Sequence, residues 1–592
     1  MSNISSCSAK RKGKSDETHS HVRPAKKKSD VECSSSEDAE SDSTHLEHLK
    51  SICTPKRMDL AVYNPFGETP LIIEACAYGH LAIVRHLVEV RKEDINQRSR
   101  IHVRRLILDN STALHVAVVA YRIDIVRYLT SKSQTNIDAT TGSMNSRHVA
   151  GGSTALHLAI TNLYGEAQTK IVRCLLDHGA DWTIKDNAGK QCWELTENYN
   201  LTKLLVHYGV GLDSTHNSTS SNIAHKWANS LDQRGACEII EIATAKGAHI
   251  DEPNANGLTP IMIAAIGEQE RPNIEAFEQL LNQEVRPIKR LDRINALELV
   301  GASLLLIDQS NLGLEYWKKA MQLRFEVKDE PSVPKQIVTL PDVARIAFRD
   351  VREVQTKEEL ENLLKMDPNL LKIQALLVYV RILGLKHDET LYRIYKYGHG
   401  RYYTNDRDFL NFTYLILQIC DLKKSHLHYI KEMAILSLGI ISRPSSTFKD
   451  AIQILEDLLV ILGETNEDSS SFTDAILSYL VNYSFALMTK PLTTLESDEF
   501  KRLLRRAVDM QKRDSRGHDL ILLTCSPNIY DWFYPKHGLT VFEKVVSALL
   551  ECGADPDSKN SNNETATQLL SRSKELNPAT RLFCEARSDF ST

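Results

Sequence analysis

The stretch GETPLIIEACAYGHLAIVRHLVE at residues 67–89 decides the fold class. Its apolar residues fall into two short helical runs, which a Gly-His turn separates. The same order of turn, threonine, small-residue helix, loop and aliphatic helix recurs at 110–131, 151–181 and 256–283. A recurring unit of this kind predicts a stack of helix pairs, because one pair alone cannot bury its apolar face.

Local signals within each unit match the ankyrin repeat. Pro70 and Pro260 suit the first helical position, where no backbone N–H is needed. Gly179 ends a second helix, since glycine adopts the left-handed conformation without a steric penalty. His115 and His157 occupy a Thr-x-Leu-His position and are expected to form structural hydrogen bonds. Four threonines are expected to cap first helices through their hydroxyl oxygens: Thr69, Thr112, Thr154 and Thr259.

The first repeats are longer than the ankyrin unit of about 33 residues. Thr69 and Thr112 are 43 positions apart, and Thr112 and Thr154 are 42 apart. The additional residues fall in loops at about 92–108 and 139–151. In ankyrin stacks such loops lie on the binding face, so we expect partners to bind there and any β structure to be limited to hairpins.

The rest of the chain also predicts helices, so the predicted fold class is all-α. The repeat pattern is degenerate near 185–250, and helical patterns without an ankyrin signature follow from about 290 to 513. We predict an ankyrin-repeat solenoid, a tetratricopeptide-like helical domain and a short C-terminal ankyrin block. The predicted boundaries are 1–43 for a disordered tail, 44–285 for the ankyrin domain, 286–513 for the helical domain, 514–578 for the C-terminal ankyrin repeats and 579–592 for a terminal box.

Composition indicates an intracellular protein. The net charge of −5 over 592 residues argues against a nucleic-acid partner for the whole chain. The 11 cysteines form no CxxC pair, which favours a reducing compartment. The polar start is not a secretory signal, and no uncharged apolar stretch reaches the ~20 residues that a membrane span needs. We therefore expect a cytoplasmic protein without a membrane partner.

Basic clusters at 10–14 and 23–28 leave two interpretations open. They are either a solvated tail or a bipartite nuclear-import signal, which would add a nuclear location.

No motif indicates catalysis, a metal or a cofactor. The glycine-containing YGHGRYY at 397–403 lacks the spacing and the Lys-Ser/Thr of a phosphate-binding loop. His426 and His428 are two positions apart and cannot share a helical face. We therefore predict a non-enzymatic protein that binds other proteins.

Four strings give the chain a more specific resemblance: ALELVGASLL at 296–305, YWKKAMQLR at 316–324, RILG at 381–384 and LLECGADPDS at 549–558. Together with the order of ankyrin, helical and ankyrin blocks, they resemble the feminization (Fem) family. The Trp-Lys-Lys segment looks most like nematode members. The resemblance runs from about residue 67 to the end of the chain.

The resemblance implies a substrate-recognition subunit of a cullin-2 RING ubiquitin ligase. In this family the first ankyrin block binds a protein substrate, often through its C-terminal residues, and a C-terminal box docks elongin C and cullin-2. Nematode members act in sex determination. An ankyrin scaffold or sequestering protein that has lost ligase coupling is the alternative interpretation.

The substrate pocket departs from the family pattern. Arginine-reading members carry two acids at positions where this chain has Arg104 and Asn162, whereas Ser153 matches. The pocket is therefore not expected to bind a C-terminal arginine. A cationic rim suits a free carboxylate or acidic side chains, and a solvated loop face is the alternative. The predicted substrate-binding residues are Arg104, Arg105, Ser153, His157, Asn162 and Trp182.

The end of the chain has the spacing of an elongin-binding box. Leu582, Ala586 and Phe590 would lie on one face of a helix over 579–592. The chain ends at Thr592 without the family's cullin-binding segment, so we expect weak cullin-2 recruitment. A chance match is the alternative for so short a motif.

Overall fold

The computed structural model describes residues 62–64, 67–104, 106–143, 150–212, 220–284, 287–326, 331–363, 367–421, 423–443, 446–465, 470–571 and 583. The chain divides into two compact units, one as far as Ala188 and one from Gly189.

The first unit contains three helix pairs and two hairpins. The helices are α1 (Leu71–Tyr78), α2 (Leu81–Glu89), α3 (Ala113–Val119), α4 (Ile123–Thr130), α5 (Ala155–Asn162) and α6 (Gly165–Asp177). The strands are β1 (Val62–Asn64), β2 (Gly67–Thr69), β3 (Ser99–Val103) and β4 (Leu106–Ser111), paired antiparallel as β1–β2 and β3–β4. Within the described part of the chain, named strands occur only in these hairpins, which confirms the prediction.

Small side chains let the first helices of successive pairs pack closely. Ala75 on α1, Ala117 on α3 and Ala159 on α5 are all buried in the core of this unit. The buried cysteines Cys76 and Cys174 fill the same apolar faces, in keeping with their role as small hydrophobic residues.

Buried histidines fix the starts of α3 and α5. His115 accepts a hydrogen bond on Nδ1 from the backbone N–H of Thr112 at 3.1 Å and, with its proton on Nε2, donates to Ala139 O at 2.9 Å. His157 repeats the first contact with Thr154, at 3.3 Å. The Thr154 hydroxyl accepts from the backbone N–H of His157 at 3.4 Å. Thr112 and Thr154 therefore act as the predicted caps.

The other two predicted caps are wrong. Thr69 ends β2, and Pro70 takes the cap position of α1, so the Thr69 hydroxyl has no hydrogen-bond partner among the described residues. The Thr259 hydroxyl is likewise buried without a partner, although Pro260 begins its helix as predicted.

The second unit is helical over most of its described length. It begins with a 3₁₀ turn at Cys192–Leu195, followed by α7 (Tyr199–His207), α8 (Ile223–Ala228), α9 (Gln233–Ala245), α10 (Pro260–Ile266), α11 (Ile274–Leu281), α12 (Arg290–Leu306) and α13 (Ser310–Phe325). It continues with α14 (Asp342–Ala347), α15 (Lys357–Leu363), α16 (Pro368–Leu383), α17 (Asp388–Arg401), α18 (Asp406–Ile419), α19 (Lys424–Ile441), α20 (Phe448–Glu464), α21 (Ser470–Met488) and α22 (Thr494–Asp509). The last helices are α23 (Leu520–Thr524), α24 (Pro527–Glu551), which is interrupted at Gly538, and α25 (Ala566–Leu570).

The helical content confirms the predicted all-α class. One large apolar cluster extends from Ala344 to Phe583 and includes residues of α23, α24 and α25. Across the described ranges, no helix is both long and apolar enough to span a membrane.

Candidate functional site

The β3–β4 hairpin projects a single arginine at its described tip. Val103 pairs with Leu106, so only Arg104 and Arg105 connect the two strands. Such two-residue turns need left-handed backbone, and Arg104 has a φ of 57°. Its side chain is exposed. Arg105 lies outside the described residues.

Arg104 is held on an aromatic ring of the next repeat. Its guanidinium carbon lies 4.2 Å from the ring centroid of Tyr121, a cation–π distance. The Tyr121 hydroxyl donates a hydrogen bond to the backbone oxygen of Asn162 at 2.9 Å. The structure therefore brings together Arg104 and Asn162, two predicted substrate-binding residues, through a tyrosine that the sequence analysis missed. We call Arg104, Tyr121 and Asn162 the stacked-arginine site.

The backbone of Tyr121 is strained. Its φ is 63°, in the left-handed region that Gly79 takes in the equivalent turn between α1 and α2. An L-residue pays roughly 1–2 kcal/mol for this conformation. An aromatic residue at a glycine position of the repeat was the sequence signal that could have revealed it.

Asn162 and Tyr164 add a polar atom and an aromatic ring to the surface of this unit. The Asn162 amide nitrogen donates to Thr161 Oγ1 at 3.0 Å, whereas its Oδ1 accepts no hydrogen bond from a described residue. No described carboxylate forms an ion pair with Arg104. Tyr164, at the start of α6, is 78% exposed. The surface offers donors to an anion and an aromatic ring to an apolar side chain.

Ser153 and His157 are buried near the start of α5. Both are fully buried, and the Ser153 hydroxyl donates to Ala150 O at 2.7 Å. Neither side chain is open to a partner in this conformation. Direct substrate contact by these two residues remains a prediction, and the contacts observed here are structural.

Trp182 is half-buried in the turn after α6. Its role in binding remains a prediction.

Another arginine of the hairpin is structural. Arg98 donates from Nη1 to Asn110 O at 2.9 Å and to Thr140 O at 2.7 Å. It therefore joins the hairpin to the following loop. Both carbonyl contacts are made by its Nη1, so this end of the guanidinium is committed to the fold.

The described residues contain no group of three or more His, Cys, Asp or Glu side chains arranged to hold a metal ion. Burial lowers the pKa of His115 to about 4, so this imidazole is neutral near pH 7 and serves as a helix cap.

Comparison with known proteins supports the prediction that this chain binds other proteins. An ankyrin-repeat model of three copies matches residues 39–141 and 102–186. Human fem-1 homolog C is 28% identical over 339 residues, which cover 53% of this chain and 52% of the relative. Fem-1 homolog A from Danio rerio is 30% identical over 337 residues, with 53% and 52% covered. Fem-1 homolog A from Rattus norvegicus is 24% identical over 564 residues, with 84% and 81% covered.

The ankyrin repeats, together with fem-1 homologs A and C at 24–30% identity, support membership of the Fem family. In the human and Danio rerio alignments the chain spans about half the length of the relative, 52% in both. Its ankyrin repeats make it a protein-interaction module.

Three of the strings that resemble Fem proteins meet at one buried carboxylate in the second unit. Glu298, from ALELVGASLL, accepts hydrogen bonds from Arg324 Nε at 2.9 Å and Nη2 at 2.8 Å, and Arg324 ends YWKKAMQLR. Arg381, the first residue of RILG, also pairs with Glu298. Lys335 and Glu353 complete the group, which we call the Glu298 cluster. All five side chains are at most 10% exposed.

Close packing of two helices holds the Glu298 cluster together. Gly301 on α12 and Gly313 on α13 face one another, and a Cβ at either would lie 2.8 Å from the other's carbonyl oxygen. The Trp317 indole donates to Glu298 O at 2.9 Å. The three cations lower the pKa of the Glu298 carboxyl to about 2, although its burial opposes the shift.

The predicted elongin-binding residues Leu582, Ala586 and Phe590 lie outside the described residues. Phe583, between them, is described and is buried in the core of the second unit.

Proposed function

We propose that this chain is the substrate-recognition subunit of a cullin-2 RING ubiquitin ligase and that the stacked-arginine site binds the substrate. The observation that supports it most directly is the exposed Arg104 guanidinium, positioned on Tyr121 and free of described carboxylates. The membership of the Fem family supports the ligase assignment by resemblance.

The chemistry of the site favours an acidic ligand. A positioned guanidinium forms charge-assisted hydrogen bonds with a carboxylate, and prior stacking reduces the entropy lost on binding. The ligand is either a C-terminal carboxylate or an acidic side chain in a protein segment. Exposed Tyr164 and the free Asn162 Oδ1 would contact neighbouring residues of that segment.

Peptide selection tests the substrate site. Peptides with free C-termini would be selected on the full-length chain, and their dissociation constants measured by fluorescence anisotropy. We expect Arg104→Glu to weaken selected peptides by about tenfold or more, because one charged hydrogen bond is replaced by repulsion. Arg173→Glu, an exposed charge reversal on α6, is the matched control and should change nothing.

Amidated versions of the same peptides separate the two ligands. Loss of binding on amidation assigns the terminal carboxylate, and unchanged binding assigns an acidic side chain. Equal affinities for the wild type and Arg104→Glu would refute the proposed site.

Ligase coupling needs a separate test at the C-terminal end. We propose that Leu582, Ala586 and Phe590 enter an apolar groove of elongin C, with Leu582 as the main anchor. Elongin C and cullin-2 should co-purify with the full-length chain, and Leu582→Asp should abolish this while peptide binding persists. Their absence from the wild-type sample would favour the scaffold alternative. The proposed setting is the cytoplasm and nucleus, with sex determination as the proposed process.

A further inference from the structure

The second unit contains a cavity of about 220 Å³ beside α17. Its walls come from the loop after α10, the end of α12, the start of α16 and one face of α17. The lining residues are Glu270, Leu306, Asn369, Lys372, Arg393, Lys396, Tyr397, Gly400 and Arg401. We call it the Arg393 pocket.

The lining of the Arg393 pocket is strongly cationic. Positive charges come from four lining residues, Lys372, Arg393, Lys396 and Arg401, and one negative charge comes from Glu270, so the lining has a net charge of +3. Such an excess within one concave site favours an anionic ligand, because low-dielectric walls strengthen its attraction to the cations.

Buried donors in the pocket lack hydrogen-bond partners. Arg393 is only 3% exposed, and its Nη2 donates to Ile266 O at 2.9 Å. Among the described residues, its Nε and Nη1 have no hydrogen-bond partner, and neither does the hydroxyl of Tyr397, which is 9% exposed. Arg401 Nε also has none, although it lies 3.6 Å from a carboxylate oxygen of Asp408. Unmet buried donors are costly unless a ligand satisfies them.

Carboxylates already occupy the rim of the pocket. Lys396 Nζ lies 3.3 Å from Glu270, and Lys372 Nζ lies 2.8 Å from Asp308, which is 75% exposed. Glu270 also accepts from the Tyr392 hydroxyl at 2.7 Å and has a left-handed φ of 71°. The rim lysines therefore have weak, partly solvated partners that an incoming anion can replace.

We propose that the Arg393 pocket binds a phosphate-class oxyanion. A phosphate monoester carries about −1.5 to −2 charges near pH 7 and has several acceptor oxygens. It matches the +3 lining and the unpaired donors better than a single carboxylate does. Because all the lining residues belong to the second unit, this site is independent of the proposed substrate site.

Titration of the full-length chain with inorganic phosphate, at constant ionic strength set by chloride, tests the proposal. Binding would be followed by ³¹P NMR line broadening and by calorimetry. We expect saturable binding that Lys372→Gln and Lys396→Gln each weaken by about tenfold, since each removes one charged contact. Lys386→Gln, an exposed lysine that pairs with Asp421 outside the pocket, is the control and should bind as the wild type does.

Glu270→Gln should have the opposite effect on phosphate affinity from the lysine variants. It removes the competing negative charge but keeps an acceptor for Tyr392, so phosphate should bind several-fold more tightly. Arg393→Gln should lose binding, provided that circular dichroism shows a native helical content. The lysine variants decide the question if Arg393→Gln fails to fold.

A phosphoserine peptide distinguishes the two sources of the anion. Tighter binding of the peptide than of inorganic phosphate, lost in Lys396→Gln, would assign the phosphate to a modified protein. Equal or weaker binding would assign a free small phosphate. Absence of saturable phosphate binding, or binding that both lysine variants leave unchanged, would overturn the proposal.

Discussion

Arg104 in the first unit and Arg324 in the second carry the same guanidinium in opposite surroundings. Arg324 is 1% exposed, donates twice to Glu298 and donates once more to Val333 O. Arg104 is exposed and contacts the face of Tyr121, with no described carboxylate as partner. Arg324 completes a core, whereas Arg104 retains its hydrogen-bonding capacity for a ligand.

The comparison shows that a charged residue contributes most to the free energy of unfolding where it is buried in an ion pair. Removing one partner of a buried ion pair leaves an uncompensated charge, which costs far more than the loss of a surface contact. Substitutions in the two units test this distinction through the free energy of unfolding.

Glu298→Gln should have the largest effect. The substitution leaves Arg324 and Arg381 buried without a full negative charge, so we expect a loss of about 3–5 kcal/mol. Urea unfolding of the full-length chain, followed by circular dichroism, measures it. Glu166→Gln breaks only an exposed pair with Lys170 and should cost less than about 1 kcal/mol. A similar cost for both variants would contradict the proposed importance of the Glu298 cluster.

Acid should act on the His115 cap before it acts on the Glu298 cluster. The pKa of His115 is lowered to about 4 by burial, so the unfolded chain binds its proton first. Stability linked to His115 is complete above pH ~6.5 and is lost as the pH falls towards 4, by about 3 kcal/mol in all. The pKa of Glu298 is lowered to about 2, so its contribution persists down to pH ~4.5.

Unfolding free energies measured between pH 7 and 4 check this order. His115→Gln should flatten the slope in that range, since it removes one titrating group. An unchanged slope would show that His115 does not titrate as its burial predicts.

Arg98 and Arg104 give a matched comparison within one hairpin. Arg98→Gln should cost about 1–3 kcal/mol, because Asn110 O and Thr140 O lose a charged donor. Arg104→Glu should change stability by less than about 0.5 kcal/mol, as expected for an exposed side chain. Thermal unfolding of the two variants measures both losses of stability. Equal losses would mean that Arg104 is structural too.

Tyr121→Phe should lower the free energy of unfolding by an amount between those expected for Arg98→Gln and Arg104→Glu. It removes the hydrogen bond to Asn162 O but keeps the aromatic face under Arg104, so we expect a loss of about 1 kcal/mol. Tyr164→Phe, at a ring 78% exposed, is the control and should be neutral. If Tyr121→Phe were also neutral, the hydroxyl would not be what holds the strained turn.

The sequence predicted the helix pairs well because their signals are local. Small residues in α1, α3 and α5 and the Thr-x-Leu-His motif act within a few positions, and the structure confirms the caps at Thr112 and Thr154. The same motif logic failed at Thr69, where Pro70 takes the cap position and the hydroxyl is left unpaired.

The sequence by itself determined the ankyrin repeats, the all-α class and the likeness to Fem proteins. Periodicity and capping reveal these features because they depend on neighbours within one or two helical turns. Only the tertiary structure placed Tyr121 between Arg104 and Asn162 and joined Arg381 to Glu298 across 83 positions. It also gathered Glu270 and Arg401 around one cavity. Packing between distant segments sets such contacts, so no local pattern could show which arginines are buried in ion pairs and which remain open to a ligand.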